Sequence, residues 1–279
     1  MTKHKHRDIG YNIVRYVILI LLTLCAIIPF VILPIVSLKT KSSFIKSPLT
    51  LPTSLNFKNY ITVFNRADIL RSFINSFTIT AGSLLAEILI GTLAAYAITK
   101  MKFKRANLFA AAFMIPMVFP VQTITIPVYI IFKNLNLLNT YIGMIILYAA
   151  IGVPLVVFMM TSFMKTIPIQ ISESAMIDGA SHFRIYRSLI LPLMKPVIST
   201  VIVISGLSVW NDFYLPQIML TSTEMKTLPL RIYDFYGQYS SDWTLICTCL
   251  VYVILPIIVL YCIMQKNIIS GIASGAVKG

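Results

Sequence analysis

Six long apolar runs, separated by short clusters of Lys and Arg, constrain this 279-residue chain more than any other feature. A helix needs roughly 20 apolar residues, at a rise of 1.5 Å each, to cross about 30 Å of hydrocarbon. The runs fall at residues 15–38, 73–98, 107–132, 141–164, 193–220 and 244–264, and each is long enough. Charged residues make up 11% of the chain and apolar residues 58%. A soluble domain is about one quarter charged, so the chain has too little polar cover for a soluble globule. Disordered chains are poor in apolar residues, which excludes disorder. The expected fold is all-α: a polytopic membrane protein with six transmembrane helices. Residues 1–14 are expected to form a cytoplasmic N-terminal segment, and 15–279 one transmembrane domain. The first run follows Lys3, Lys5 and Arg7, as a signal peptide would. Its apolar stretch is too long for one, and no small-x-small cleavage site follows before Lys39, so it reads as a retained anchor.

Lys and Arg number 23 against 9 acids, a formal net charge of +14. A nucleic-acid binder wants a basic face on a soluble fold. Here the charges sit in the gaps between apolar runs, as they do at cytoplasmic span ends. Membrane lipid is therefore the expected partner, and nucleic acid is not. An even number of spans puts both termini on one side. With the N-terminus inside, the cytoplasmic segments carry Lys3, Lys5, Arg7, Arg15, Lys100, Lys102, Lys104, Arg105, Lys165, Arg184, Arg187, Lys195, Lys266 and Lys278, which is 14 of the 23. Six of the other nine lie in the 39–72 loop, an anomaly for so short an outside segment. The flipped topology fits worse, so both termini are expected in the cytoplasm. Cys25, Cys247, Cys249 and Cys262 all lie in apolar runs, with neither metal-ligand spacing nor a disulfide framework.

Prolines interrupt the runs at Pro29, Pro34, Pro116, Pro120, Pro127, Pro154, Pro216 and Pro256. Proline removes a backbone donor. Membranes tolerate the break where neighbouring helices or an aqueous cavity satisfy the freed groups. Gln122, Thr123 and Thr125 beside the third-run prolines make that span a candidate pathway wall; ordinary helix bending is the alternative. Two acids fall well inside runs, Glu87 and Asp212. Charge at mid-bilayer costs several kcal/mol, roughly 2.5–3.5 on insertion scales, so such side chains face a bundle interior or a cavity. Glu87 reads as a hydrogen-bonded packing residue or as a functional acid. Asp212 belongs with Trp210, Asn211 and Tyr214 to a polar–aromatic cluster suited to sugar rings, with an outer aromatic belt as the alternative. A proton-coupled carrier could use the two acids as a relay.

The loop at 165–195 is the most informative segment. Ser172 is expected to cap a helix, with Glu173 in its first turn. Ala175, Met176, Gly179, Ala180 and Phe183 recur at helical spacing, and the central members are small enough to admit another protein surface. Gly179 permits a turn between two short helices. Arg184 and Arg187 flank a second stripe of Phe183, Tyr186, Leu189 and Ile190, and Pro192 is expected to open the fifth span. A membrane-surface helix is the alternative to a docking element. No Gly-x-x-x-x-Gly-Lys-Ser/Thr phosphate loop occurs. The histidines, His4, His6 and His182, lie outside the runs. No catalytic or metal constellation can be assembled, so neither an enzyme nor a cofactor is expected.

This segment resembles the EAA loop of ABC-transporter permeases: Glu-Ala-Ala, three residues, Gly, nine residues, then Ile-x-Leu-Pro. Glu173, Ala175, Gly179, Leu191 and Pro192 match it, while Ser174 replaces an Ala and Leu189 the Ile. Trp210 to Pro216, Lys226-Thr227-Leu228-Pro229, Asn59-Tyr60, Phe73-Ile74-Asn75-Ser76 and the end from Ser270 to Gly279 are similar to the maltose-type, MalG-like carbohydrate-importer permeases. The resemblance implies half of a translocation pathway for a carbohydrate, an oligosaccharide by branch, in a bacterial cell membrane. It implies a second, MalF-like permease, an ATP-binding subunit dimer and an extracytoplasmic sugar-binding protein as partners. Residues 165–192 would be a cytoplasmic coupling helix between spans 4 and 5. Glu173, Ala175, Asp178, Gly179, Ala180, Arg184 and Arg187 would dock the ATPase, and Gly275 and Lys278 would lie near it. Gln122, Trp210, Asn211, Asp212 and Tyr214 are the candidate pathway residues. The 221–243 loop, with Tyr233, Phe235, Tyr236, Tyr239 and Trp243, would meet the binding protein.

Overall fold

The computed structural model describes residues 2–101, 103–237 and 241–276, with side chains for 11–101, 103–237 and 241–263. Among the described residues the chain is helical and contains no strand. Its helices are α1 (Thr2–Ser37), α2 (Lys41–Lys46), α3 (Lys58–Arg66), α4 (Ile69–Lys100), α5 (Ala106–Met114), α6 (Val121–Asn134) and α7 (Tyr141–Met164). They continue as α8 (Ile169–Ile177), α9 (His182–Ile185), α10 (Leu191–Leu193), α11 (Lys195–Asn211), α12 (Tyr214–Met219), α13 (Leu228–Arg231) and α14 (Trp243–Ala276).

Among the described residues, four helical segments are long and apolar enough to cross a membrane unbroken: Tyr11–Ser37, Ile69–Lys100, Tyr141–Met164 and Trp243–Ile263. Two further spans exist only if bent pairs count as one. Ala106–Val118 and Val121–Asn134 meet at 98°, and His182–Leu193 and Lys195–Asn211 meet at 73°. The third apolar run is thus not a continuous helix. Phe119 is extended and Pro120 supplies no amide donor, so the ladder stops there. The fifth run also stops early. Asp212 is extended (ψ 130°), and the chain restarts as α12. Pro192 lies in α10, and the fifth-run helix begins at Lys195 with Pro196 in its first turn, where the missing N–H has no partner to lose. Pro29, Pro34, Pro127, Pro154 and Pro256 all sit inside helices.

The chain divides into two compact units. The first contains residues 1–69 and 231–254. Every described side chain from Tyr11 to Val31 is exposed, so α1 offers its apolar surface on all sides. Past its end the chain is tied by polar groups. The Lys39 ammonium is 1% exposed and donates to the Ser47 carbonyl (2.6 Å), the Pro48 carbonyl (3.1 Å) and Thr50 Oγ1 (3.3 Å). Asn59 Nδ2 donates to the carbonyls of Ser37 (2.7 Å) and Lys39 (2.8 Å), which explains the Asn-Tyr pair before the second span. Tyr60 OH meets Ser37 Oγ at 2.7 Å. One of the six cations of the 39–72 loop is thereby a buried structural tie. Phe235 is also buried here, under the Arg66 guanidinium, and so is no part of an exposed belt.

The second unit contains residues 70–230 and 255–279. Its centre is a parallel pair, α4 and α7, in one continuous register. Tyr141 OH donates to Asn75 Oδ1 (2.6 Å), Glu87 faces Gly152, Gly91 faces Val156, and Lys100 Nζ donates to the Ile167 carbonyl (2.7 Å). A Cβ at Gly91 would meet the Val156 side chain, so the missing side chain sets the helix separation. α11 runs the other way: Thr92 meets Tyr186, Leu84 meets Gly206 and Phe73 meets Trp210. The Lys100 end of α4 and the 165–195 loop therefore share one end of this unit, as the charge distribution requires.

Candidate functional site

The 165–195 loop folds as a helix–turn–helix. α8 starts at Ile169 behind Pro168, with no side-chain cap. Ser172, expected as its cap, lies inside the helix, fully buried, and its hydroxyl has no partner. Glu173 is consequently one turn in, half-buried, and not in the first turn. Pro168 displaces the cap because its fixed φ starts the helix four residues earlier than hydroxyl chemistry suggested. The turn matches expectation. Gly179 has φ +82°. Its N–H donates to the Met176 carbonyl (3.0 Å), and the Ala180 N–H to the Ala175 carbonyl (2.9 Å). This is a Schellman closure, in which the residue after the cap takes a left-handed conformation that glycine adopts without strain. Ser181 then caps α9, accepting from the Arg184 N–H at 3.3 Å.

Not all of the expected docking residues face outward. Ala175 and Ala180 are half-buried and pack on the core formed by Ala95, Met160, Met164, Ile185 and Ile190. Asp178, Gly179, Arg184 and Arg187 are exposed. The large apolar side chains presented beside them are Ile177 (86% exposed), Phe183 (65%) and Met176 (37%). Ile177 went unnoticed in the sequence because it interrupts the small-residue stripe.

The bracket is seated firmly. Tyr186 is buried, its OH 2.8 Å from Thr92 Oγ1 and its ring 5.5 Å from that of Tyr96. Tyr96 OH lies 3.3 Å from His182 Nδ1. With Lys100 on the Ile167 carbonyl, these contacts join the bracket to α4, while its core side chains join it to α7 and α11. Tyr186 opens a π turn, Tyr186–Ile190, whose wider winding links the short helices α9 and α10. The link to α4 had no signal in the sequence, since Thr92 and Tyr186 are 94 residues apart.

The candidate pathway residues separate into distinct environments. Trp210 is buried edge-on to Phe73 and lines an apolar cavity of about 540 Å³ with Phe77 and Leu84. Asn211 is exposed, and its amide bonds back to the Leu207 carbonyl (2.9 Å) of its own helix. Asp212 lies in the break: Oδ2 accepts from Tyr148 OH (2.8 Å) and Oδ1 from the Tyr214 N–H (2.8 Å). Tyr214 OH reaches Thr125 Oγ1 on α6 at 3.3 Å. Tyr214, just past the break at Asp212, is thus tied to Thr125, about one turn into α6 past the break at Phe119–Pro120. Gln122 is exposed in the first turn of α6. Tyr148 was missed because it lies in an otherwise apolar run. Glu87 is 1% exposed, bonded to Ser205, with Oε2 unpaired, and a Cβ at Gly152 would strike its carboxyl.

At the other end of α4, two of the resemblance segments form one clasp. Asn75 Nδ2 donates to the carbonyls of Glu224 (2.9 Å) and Lys226 (3.0 Å), and Ser76 Oγ accepts from the Leu228 N–H (2.9 Å). Tyr233, Tyr236 and Trp243 are exposed. Gly275 falls within α14, whereas Lys278 and Tyr239 lie outside the described residues.

The comparisons agree with this architecture. Residues 87–272 match the family described as "Binding-protein-dependent transport system inner membrane component". The chain is 35% identical to the probable starch degradation products transport system permease protein AmyC of Thermoanaerobacterium thermosulfurigenes, over 93% of this chain and 94% of that one. It is 34% identical to the melibiose/raffinose/stachyose import permease protein MelC of Bacillus subtilis (strain 168), over 90% and 91% respectively. A crystal structure of a bacterial ABC transporter involved in alginate import contains a chain of the same fold, with TM-score 0.83 and 22% identity, covering 93% of this chain and 97% of that one. A bracket built on the EAA pattern, seated on packed membrane helices, and a family match over most of the chain lead to one assignment: the chain belongs to the inner membrane components of binding-protein-dependent transport systems, as a MalG-like permease of an ABC importer.

Proposed function

We propose that this permease lines half of a pathway for a carbohydrate, an oligosaccharide in particular, and takes its driving force from a separate ATPase through residues 165–192. The seated bracket carries the reading. α8 and α9 present Met176, Ile177 and Phe183 around the exposed Gly179 turn, while their inner faces are held to α4, α7 and α11. A push on such a bracket moves three membrane helices together, which is what rigid-body alternating access needs. Glu173, Asp178, Arg184 and Arg187 would make the polar contacts around that apolar tip, and Gly275 and Lys278 would lie near the same partner.

The bracket end, which also carries Lys100, Lys104 and Arg105, is the cytoplasmic one in this reading, by the excess of Lys and Arg. The chain is then multi-pass with both termini inside, residues 1–14 cytoplasmic and 15–279 one transmembrane domain. The 221–243 loop, with the exposed Tyr233, Tyr236 and Trp243, would receive an extracytoplasmic binding protein. The MalF-like second permease and an ATPase dimer complete the assembly. The carbohydrate cargo is supported by relatives named for starch degradation products and for melibiose, raffinose and stachyose. Gln122, Asn211 and the Asp212–Tyr148–Tyr214–Thr125 set at the two broken spans are the pathway candidates, because discontinuous helices expose backbone and polar groups only where protein or water satisfies them.

The test is uptake of labelled sugars by cells carrying Glu173→Lys or Gly179→Trp. Both variants should insert normally and lose ATP-dependent uptake. Normal uptake in both would overturn the docking role. Titration of the cognate binding protein with a sugar panel separately decides the cargo.

A further inference from the structure

We propose that residues 40–66 form an interfacial platform that binds anionic phospholipid headgroups on the membrane face at the end of α1. Between Thr40 and Arg66 the chain has four cations, Lys41, Lys46, Lys58 and Arg66, and no acid. All four are exposed. Interleaved with them are large apolar side chains held in the open: Leu49 (76% exposed), Leu51 (75%), Ile45 (69%), Ile61 (64%), Phe57 (60%) and Leu55 (59%). A free segment of this composition would collapse on itself to shelter those groups. This one is prevented by polar ties. The buried Lys39 ammonium grips the carbonyls of Ser47 and Pro48 and the Thr50 hydroxyl, on either side of Leu49. Asn59 grips the carbonyls of Ser37 and Lys39, and the Asn56 N–H donates to the Leu38 carbonyl at 2.8 Å.

Those ties also set the location. Lys39 lies two residues past the end of α1, a membrane-length helix, so the residues bonded to it cannot stray from the bilayer surface. The chain then enters α4 at Ile69, the start of another such helix. Apolar side chains inserted at the headgroup level, with Lys and Arg reaching up to phosphates, are the physical signature of an interfacial segment. A soluble partner that must bind and leave each cycle is a poorer match, because six exposed aliphatic and aromatic groups would hold it too tightly or precipitate it. The cations of the 39–72 loop, anomalous by the positive-inside rule, thus have a use on their own side: Lys39 as the tie, Arg71 in an ion pair with Glu224 at 2.9 Å, and Lys41, Lys46, Lys58 and Arg66 as headgroup contacts.

The experiment uses the assembled transporter in vesicles, with benzoylphenylalanine placed at Leu49 or Ile61. On irradiation, vesicles containing phosphatidylglycerol should yield phospholipid adducts at both positions, several-fold more than phosphatidylcholine vesicles do. The exposed-site variant Lys41→Glu/Lys46→Glu/Lys58→Glu should reduce the phosphatidylglycerol yield to the phosphatidylcholine level, since each basic group near an anionic surface is worth roughly a five-fold change in binding. Adducts to the external binding protein or to another subunit, equal yields in the two lipids, or no adduct would each overturn the proposal. The unsubstituted chain carrying only the cross-linker decides the matter even if the triple variant assembles poorly.

Discussion

Asn75 shows how one side chain can organise an end of a membrane protein. Its amide donates to two loop carbonyls and its oxygen accepts from Tyr141. Removing it leaves buried polar groups unpaired, at ~1–3 kcal/mol. Asn75→Ala should lower the thermal midpoint of the purified complex by several degrees while Asn75→Gln restores part of it, as scanning fluorimetry would show. Glu87 and Gly152 form a second such unit. The carboxyl occupies the space that a Cβ at position 152 would fill. Gly152→Ala should destabilise the chain, and Glu87→Ala in the same chain should relieve it. A double-mutant cycle in detergent unfolding should return a favourable coupling of about 1 kcal/mol or more. Additive effects would show that the two residues do not share that space.

Among the elements, the bracket of α8 and α9 depends on one left-handed residue. No atom lies within 4 Å of where a Cβ at Gly179 would be, so a substitution there meets backbone strain and not a clash within the chain. Asn tolerates this conformation far better than a β-branched residue. Gly179→Asn should therefore keep most uptake, whereas Gly179→Val should lose it at ~1–2 kcal/mol of strain. If both lose uptake equally, the turn is limited by what docks on it and not by its dihedral. The seat of the bracket is tested by Tyr186→Phe. The Tyr186–Thr92 bond contributes about 1 kcal/mol, and loosening it should lower sugar carried per ATP hydrolysed more than the hydrolysis rate. Parallel uptake and phosphate-release assays would register the split.

At the scale of the whole molecule, α1 is apolar and exposed from Tyr11 to Val31, as a lipid-facing helix is, and the bracket ends in exposed Ile177 and Phe183. The bracket's apolar tip, set outside the apolar runs, does not suit a chain that works alone. Mild-detergent purification of the tagged permease should recover an ATPase subunit and a second permease in stable stoichiometry. Gly179→Trp should release the ATPase and keep the second permease. Recovery of the tagged chain alone under all conditions would contradict the assembly.

Helix content, membrane residence and the position of the 165–195 bracket were legible in the sequence, because they rest on local quantities: twenty-residue apolarity, charge at span ends, a glycine at a fixed distance from an acid. The 141–164 span came out as α7 with the same bounds, since nothing within it competes with the helix. Other features depended on partners far along the chain. Ser172 looked like a cap, but Pro168 starts α8 earlier and the core takes the serine inward. Trp210, Asp212 and Tyr214 looked like one cluster, but the break at Asp212 turns them toward Phe73, Tyr148 and Thr125. Hydrogen bonds across 60 to 150 residues, such as Asn75 to Glu224 and Tyr186 to Thr92, leave no periodic trace. Apolarity and turn chemistry act between neighbours in the chain, whereas the direction a polar side chain faces in a bundle is decided by which helix lies beside it.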